Sequence, residues 1–428
     1  MQRQDPSFQI PTQMSESKTF RLSHTQQRLW FMSRLKPESA FYNLPLLVRL
    51  HGRLNLEALE EALNEISRRH DVLRTKFFEM DGAPMQVIDE PSQQSLEVIE
   101  ADGIAEGLQI VREEVRKPFA LTEDYLWRVF VVRVSDEEHL LAIVIHHIIS
   151  DGWSLNVLAN EISVLYSAYV KGHASPLKEL PIQWGAYAEW QRESLSQEDE
   201  ERQLRYWHEQ LAGSTPVLQL PSDRPRPSVE TYEGSMYYAM LPAMLAEALR
   251  SLSMSESSTL FMTLLAAFNI LVYRYTGQTD LNIGTPLAGR NSPAVENLIG
   301  FFVNTVAIRT KLSDNLRFRD LLKQVQQTTI AAYAHQDVQF DKVVEELQIE
   351  RSLSHAPVFQ IVFAYNPGNV NFELADLEAT RLDIDTQTSK FDLAFFVEDA
   401  GTELKLLIEY STALFEAATI ERLIARFQ

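Results

Sequence analysis

Leu140-Leu141-Ala142-Ile143-Val144-Ile145-His146-His147-Ile148-Ile149-Ser150-Asp151-Gly152-Trp153-Ser154 is the stretch on which the reading of this chain turns. The apolar run from Leu140 to Ile145 has no polar interruption and reads as a buried strand. Beyond Gly152 the spacing changes, and Leu155, Leu158, Ile162, Leu165 and Tyr169 recur at helical intervals. The junction between them holds two imidazoles, a carboxylate and a glycine. Rigid elements on both sides fix such side chains while the turn stays open, which suits catalysis. Histidine is the usual mover of protons near neutral pH. Neighbouring residues of a strand point to opposite faces, so one histidine is expected to work and the other to pack.

The 428 residues suffice for two domains, and 45% hydrophobic with 23% charged residues is the composition of a soluble globular protein. No apolar run has the length of a membrane span, and the first 20 residues lack the layout of a signal peptide. With no cysteine there is no disulfide, thiol nucleophile or cysteine metal site. A cytoplasmic monomer, without membrane attachment, is the expectation. A net charge of −20 argues against nucleic acid as the main partner. That balance leaves room for a local basic patch such as Arg68-Arg69-His70, but an acidic surface that serves solubility is the preferred reading there.

Residues 1–20 read as a flexible leader, with order beginning near Phe20–Ser23, where Ser23 caps a helix running through Gln26, Leu29, Trp30 and Ser33. Leu44–Leu50 is expected as a strand, Leu56 down to His70 as an amphipathic helix, and Val72–Phe78 as a strand followed by an Asp81-Gly82 turn. Trp127–Val134 pairs with the strand that leads into the histidines. A composition shift at Pro176 and Pro181 marks a lobe boundary, and one helix is expected from Trp184 to about Leu211. Helices at Leu245–Leu252 and Leu260–Tyr273 follow. Strands are expected at Leu281–Gly284, Phe302–Ile308, Val358–Ala364, Phe391–Phe396 and Leu404–Tyr410, then a helix from Phe415. Alternation in both halves points to an α/β sandwich in each.

His146-His147-Ile148-Ile149-Ser150-Asp151-Gly152 resembles the HHxxxDG signature of condensation domains from nonribosomal peptide synthetases, relatives of chloramphenicol acetyltransferase. Ser23–Trp30 resembles the opening motif of that family and Arg69–Phe77 its second. Tyr187-Ala188-Glu189-Trp190-Gln191 resembles the fourth, with Ala186 where an aspartate is usual. Ile299–Thr305 and His335–Phe340 resemble the fifth and sixth. The resemblance implies two chloramphenicol-acetyltransferase-like α/β lobes, 21–178 and 179–428, forming a V-shaped pseudodimer with a central tunnel. It implies attack of an acceptor α-amine on a donor thioester, giving an amide. A tunnel would exclude water from the thioester and hold two tethered reactants at high effective concentration.

By the same resemblance His147 is the functional histidine, as base or as positioner of the amine, with His146 structural. Asp151 is expected to be architectural, paired with Arg290. Gly152 would let backbone approach the reacting centre and offer its amide to an oxyanion. Trp153, Ser154 and Asn304 are expected along the tunnel, although Asn304 also suits an ordinary strand-end hydrogen bond. No metal is expected, since adjacent strand histidines cannot easily share an ion. Neither Ser150 nor Ser154 sits in a nucleophile elbow.

The intact histidine pair separates this chain from heterocyclising relatives and from recruiting relatives, which usually lose the second histidine. A non-catalytic carrier-binding or recruitment module is the alternative from another class. No covalently held cofactor is expected: substrates would come on the phosphopantetheine of carrier proteins or as acyl-CoA. A downstream peptidyl carrier protein would present the acceptor, and an adenylation domain would adjoin in the full synthetase. Met1 lies about 20 residues before the first motif. This favours a starter domain that N-acylates from a fatty acyl-CoA. The alternative is an internal elongation domain joining two carrier-bound aminoacyl or peptidyl groups, with the donor on an upstream carrier.

Overall fold

The computed structural model describes residues 18–215, 217–349, 352–366, 368 and 372–428. The chain forms two compact units. The first comprises Met1–Leu195, Ala288–Val303 and Val370–Thr386, the second Ser196–Leu287, Asn304–Asn369 and Gln387–Gln428. The boundary expected at 178/179 therefore lies at Leu195, and both units are discontinuous in sequence. The proline-spaced segment does not end the first unit, because Leu180, Ile182, Trp184 and Tyr187 are all buried in its core.

In chain order the first unit contains β1 (Thr19–Arg21), α1 (His24–Leu35), β2 (Asn43–His51), α2 (Leu56–Arg69), β3 (Thr75–Met80) and β4 (Ala83–Ile88). It continues with β5 (Glu97–Glu100), α3 (Ile104–Val115), β6 (Trp127–Ser135), β7 (Glu138–His146), α4 (Gly152–Val170) and α5 (Trp184–Ser194). The second unit has α6 (Gln197–Leu211), β8 (Gly234–Leu241), α7 (Ala243–Ser255), α8 (Leu260–Thr276), β9 (Asp280–Leu287), β10 (Asn304–Lys311), α9 (Phe318–Tyr333), α10 (Phe340–Glu346) and β11 (Ile361–Asn366). Then come β12 (Glu378–Leu382), which belongs to the first unit, and β13 (Leu393–Ala400), β14 (Glu403–Ser411) and α11 (Ala417–Phe427) of the second.

The first unit is built on a sheet of order β12-β2-β7-β6-β5, parallel only between β5 and β6. β7 pairs on both edges and is buried from His139 to His146, which is why its sequence reads as an unbroken apolar run. A small antiparallel sheet, β1-β4-β3, stands apart from it. Of the leader expected at 1–20, residues 1–17 lie outside the described residues. Thr19 and Phe20 correct that expectation, since they pair with Val87 and Gln86. Val72–Arg74 is also not strand. Asp71–Arg74 forms a 3-10 turn in which Arg74 donates to the Ser67 carbonyl and pairs with Asp71, so β3 starts at Thr75.

The second unit carries a sheet of order β10-β9-β11-β13-β14-β8, with β11 parallel to β9 and β13 and the other pairs antiparallel. Phe268 of α8 packs on Phe363 and Phe395 with ring centroids 5.1 and 5.0 Å apart. The helix expected from Trp184 to Leu211 is two helices. Leu195 is extended, and the Ser196 hydroxyl caps α6 by accepting from the Asp199 amide at 3.1 Å. Both units are thus α/β with mixed sheets.

Candidate active site

β7 delivers His146 and His147 to a short 3-10 turn, His147–Ile149, and Asp151 then starts α4. The two imidazoles have different employment. His146 is 4% exposed, and its Nδ1 accepts from the Ile148 amide at 3.1 Å, capping the turn. Tyr42 and Phe119 pack edge-on against its ring. His147 is only partly buried, and its Nδ1 lies 2.8 Å from the Ser150 carbonyl oxygen. A carbonyl only accepts, so Nδ1 carries the proton and Nε2 of the neutral ring carries the lone pair. The His147 amide donates to the Tyr42 carbonyl at 2.8 Å, and Gln26 of α1 donates to the Ile148 carbonyl at 3.0 Å. Gln26 itself is held in a capping box with Ser23. The first family motif therefore serves to shape the turn that presents His147.

Asp151 is fully buried and caps α4. Its Oδ1 accepts from the Ser154 amide and hydroxyl, each at 2.8 Å, and from Arg290 Nη2 at 3.3 Å. Its Oδ2 accepts from the Phe302 amide at 3.0 Å. Arg290 also donates to the Val295 and Leu298 carbonyls, both at 2.6 Å, and lies 3.9 Å from the Phe302 ring centroid. Burial pulls the guanidinium below its ordinary pKa, while the charge and hydrogen bond of Asp151 pull it back up. The structure thus puts Asp151 and Arg290 together at the start of α4.

Gly152 is exposed at the first turn of α4. Its φ is not left-handed, and a Cβ built on it would meet nothing within 4 Å. Neither backbone strain nor packing within the chain demands glycine there. Trp153 is 42% exposed and donates from Nε1 to the Glu296 carbonyl at 2.8 Å. Ser154 is not a lining residue. It is fully buried, and its hydroxyl meets Asp151, Arg290 and both backbone groups of Gly300. Asn304 belongs to the second unit. Its side chain donates to the Gln336 and Val338 carbonyls at 2.7 and 2.9 Å and accepts from the Phe340 amide at 3.2 Å, so both of its ends serve structure.

Arg69 and His70 do not contribute to a surface basic patch. Both are buried on Glu161 of α4, Arg69 through Nη2 at 3.0 Å and His70 through Nε2 at 3.0 Å. Burial raises the Glu161 pKa, but the hydrogen bond from His70 and the hydrogen bond and charge of Arg69 outweigh it and hold the carboxyl below its ordinary value. Glu161 was missed by sequence reasoning, although a signal existed: it falls on the apolar face of α4 between Leu158 and Leu165. Phe301 falls within the Ile299–Thr305 motif, and its ring lies against His147 with centroids 4.7 Å apart.

A condensation-domain family model matches residues 16–428. This chain belongs to the condensation-domain family. Condensation domains are amide-bond-forming acyltransferases of nonribosomal peptide synthesis, and this condensation domain is an enzyme of that class. It is 46% identical over 426 residues to a linear gramicidin synthase polypeptide of Brevibacillus parabrevis, covering 97% of this chain and 8% of that protein. The chain therefore spans less than a tenth of that relative. Among solved structures it is similar to the X-domain from teicoplanin biosynthesis, with TM-score 0.88, 28% identity, and 96% and 94% of the two chains covered. The starter condensation domain of rhizomide synthetase, solved with C8-CoA, gives TM-score 0.83 at 21% identity over 96% and 93%. That last likeness is one of fold. Among the described residues no single helix is long and apolar enough to cross a membrane.

Proposed function

We propose that this condensation domain joins a donor acyl or peptidyl thioester to the α-amine of an aminoacyl group, both presented on phosphopantetheine arms of carrier proteins. His147 Nε2 accepts a hydrogen bond from the attacking amine and takes its proton as the tetrahedral intermediate forms. The amine nitrogen bonds to the thioester carbon, the C–S bond breaks, and the proton reaches the leaving thiolate. The observation that carries this reading is the 2.8 Å contact between His147 Nδ1 and the Ser150 carbonyl, which places the lone pair on Nε2. The open space beside Gly152, at the start of a 19-residue helix whose first amides have no intrahelical partners, suits a developing oxyanion. No cofactor is required for these steps.

The 46% identity to a linear gramicidin synthase polypeptide supports internal elongation with a carrier-bound donor. N-acylation from a fatty acyl-CoA has only a likeness of fold behind it. The test is turnover with a panel of aminoacyl and peptidyl carriers, and separately with acyl-CoA donors. His147→Ala is expected to lose about 10²–10⁴-fold in rate while staying folded. Wild-type-like turnover by that variant refutes the role of His147, and N-acylated product formed on the aminoacyl carrier only with acyl-CoA as donor restores the starter reading. A recruitment module is the second reading, since another solved structure with 28% identity is a complex of the X-domain with OxyB. Wild-type protein inactive with every donor and acceptor would favour it.

A further inference from the structure

Leu298–Val303 has no regular secondary structure, yet Leu298 to Phe302 are buried. Buried backbone groups need partners, and here side chains supply them. The Ile299 amide donates to His70 Nδ1 at 3.3 Å, the Gly300 amide to Ser154 Oγ at 3.1 Å, and the Phe302 amide to Asp151 Oδ2 at 3.0 Å. Arg290 donates to the Leu298 carbonyl at 2.6 Å and the Ser154 hydroxyl reaches the Gly300 carbonyl at 2.9 Å. His70 is itself oriented by Glu161. Two glycines confirm how closely the segment is fitted: a Cβ on Gly300 would lie 2.1 Å from the Trp184 ring, and one on Gly289 2.2 Å from the Phe302 carbonyl.

What this clasp sets in place is the Phe301 ring, whose plane meets that of His147 at 65° with centroids 4.7 Å apart. An imidazole's outer torsion is broad and roughly two-fold, so a half-turn exchanges Nδ1 with a ring carbon at little intrinsic cost. The Ser150 carbonyl rewards one orientation, and a ring packed on the imidazole limits access to the other. Resting on the reading of His147 given above, we infer that Phe301 is a positioning residue for the reaction. It holds the imidazole so that Nε2, not a C–H edge, faces the amine. Asp151, Ser154 and His70 act on the chemistry through it, by fixing the backbone on either side of Phe301.

The test compares Phe301→Leu with wild type, with Phe301→Met as a second variant should the branched side chain disturb folding. Leucine keeps an apolar filling but removes the flat ring. In steady-state condensation with saturating carriers, kcat is expected to fall about tenfold to a hundredfold, the cost of misplacing a reacting group, with KM for both carriers unchanged. In protein labelled with ¹⁵N-histidine, the His147 ring signals, assigned with His147→Gln, should change from a single Nδ1-protonated form to a mixture. Unchanged ring signals together with unchanged kcat in folded Phe301→Leu and Phe301→Met overturn the inference, as does a rise in KM alone. The ring signals are read without turnover. A full-rate His147→Ala would therefore sink the catalytic reading while leaving the effect of Phe301 on the imidazole separately visible.

Discussion

Asp151→Ala separates an architectural carboxylate from a catalytic one. The substitution removes every acceptor that Ser154, Arg290 and the Phe302 amide find on that side chain. It leaves a guanidinium whose side chain is 1% exposed without its carboxylate partner. Breaking a buried ion pair from one side costs about 3–5 kcal/mol, and the lost helix cap, worth about 1 kcal/mol alone, is contained in that figure rather than added. For a unit of this size each kcal/mol moves the melting midpoint by about 2–4 °C, so a fall of about 6–20 °C is expected. Tryptophan fluorescence is a suitable probe, because Trp30, Trp127, Trp153, Trp184 and Trp190 lie in the first unit and only Trp207 in the second. Asp151→Asn keeps the shape and one acceptor oxygen but not the charge, and should melt between wild type and alanine. Condensation rate measured well below the melting point should fall in step with the disturbance of the Phe302 segment. An unchanged midpoint with abolished turnover refutes this reasoning and makes Asp151 a participant in the reaction.

Gly152→Ala should melt at or slightly above the wild-type temperature, since alanine suits a helix better than glycine by up to about 1 kcal/mol and its Cβ meets nothing. Its turnover should nevertheless fall at least about tenfold; full activity would mean that the space is not used. For Glu161, the carboxyl pKa is depressed in the folded chain, so its contribution to stability is present above the unfolded value near 4.5 and is lost as pH falls below it. Glu161→Gln should thus be less stable than wild type in chemical denaturation at pH 7. The gap should narrow on acidification below about pH 4.5, and a constant gap from pH 7 to pH 3 would show that the ion pairs do not set it.

Much of the site was legible because its residues are local. β7, the histidine turn and the start of α4 lie in one stretch of sequence, and each announces itself by spacing or by a cap. The pairing of Asp151 with Arg290, and the places of the recurring motifs, came through the family resemblance rather than through periodicity. Glu161 left a trace as a charge on an apolar helix face. The contact of Phe301 with His147 left none, since 154 positions of chain separate them and nothing in either neighbourhood encodes the meeting.

By itself the sequence determined the α/β class and the strand-turn-helix that carries the histidines, because these follow from backbone periodicity and short-range hydrogen bonding, while the family came from the resemblance of its motifs and their order. Only the tertiary structure decided which ring nitrogen of His147 holds the proton, that Ser154 and Asn304 are spent inside the fold, and that each unit is assembled from separated segments. Those outcomes depend on where buried polar groups find partners. A buried amide or carboxylate must be satisfied by whichever group the folded chain brings near, and distance along the chain does not limit that choice.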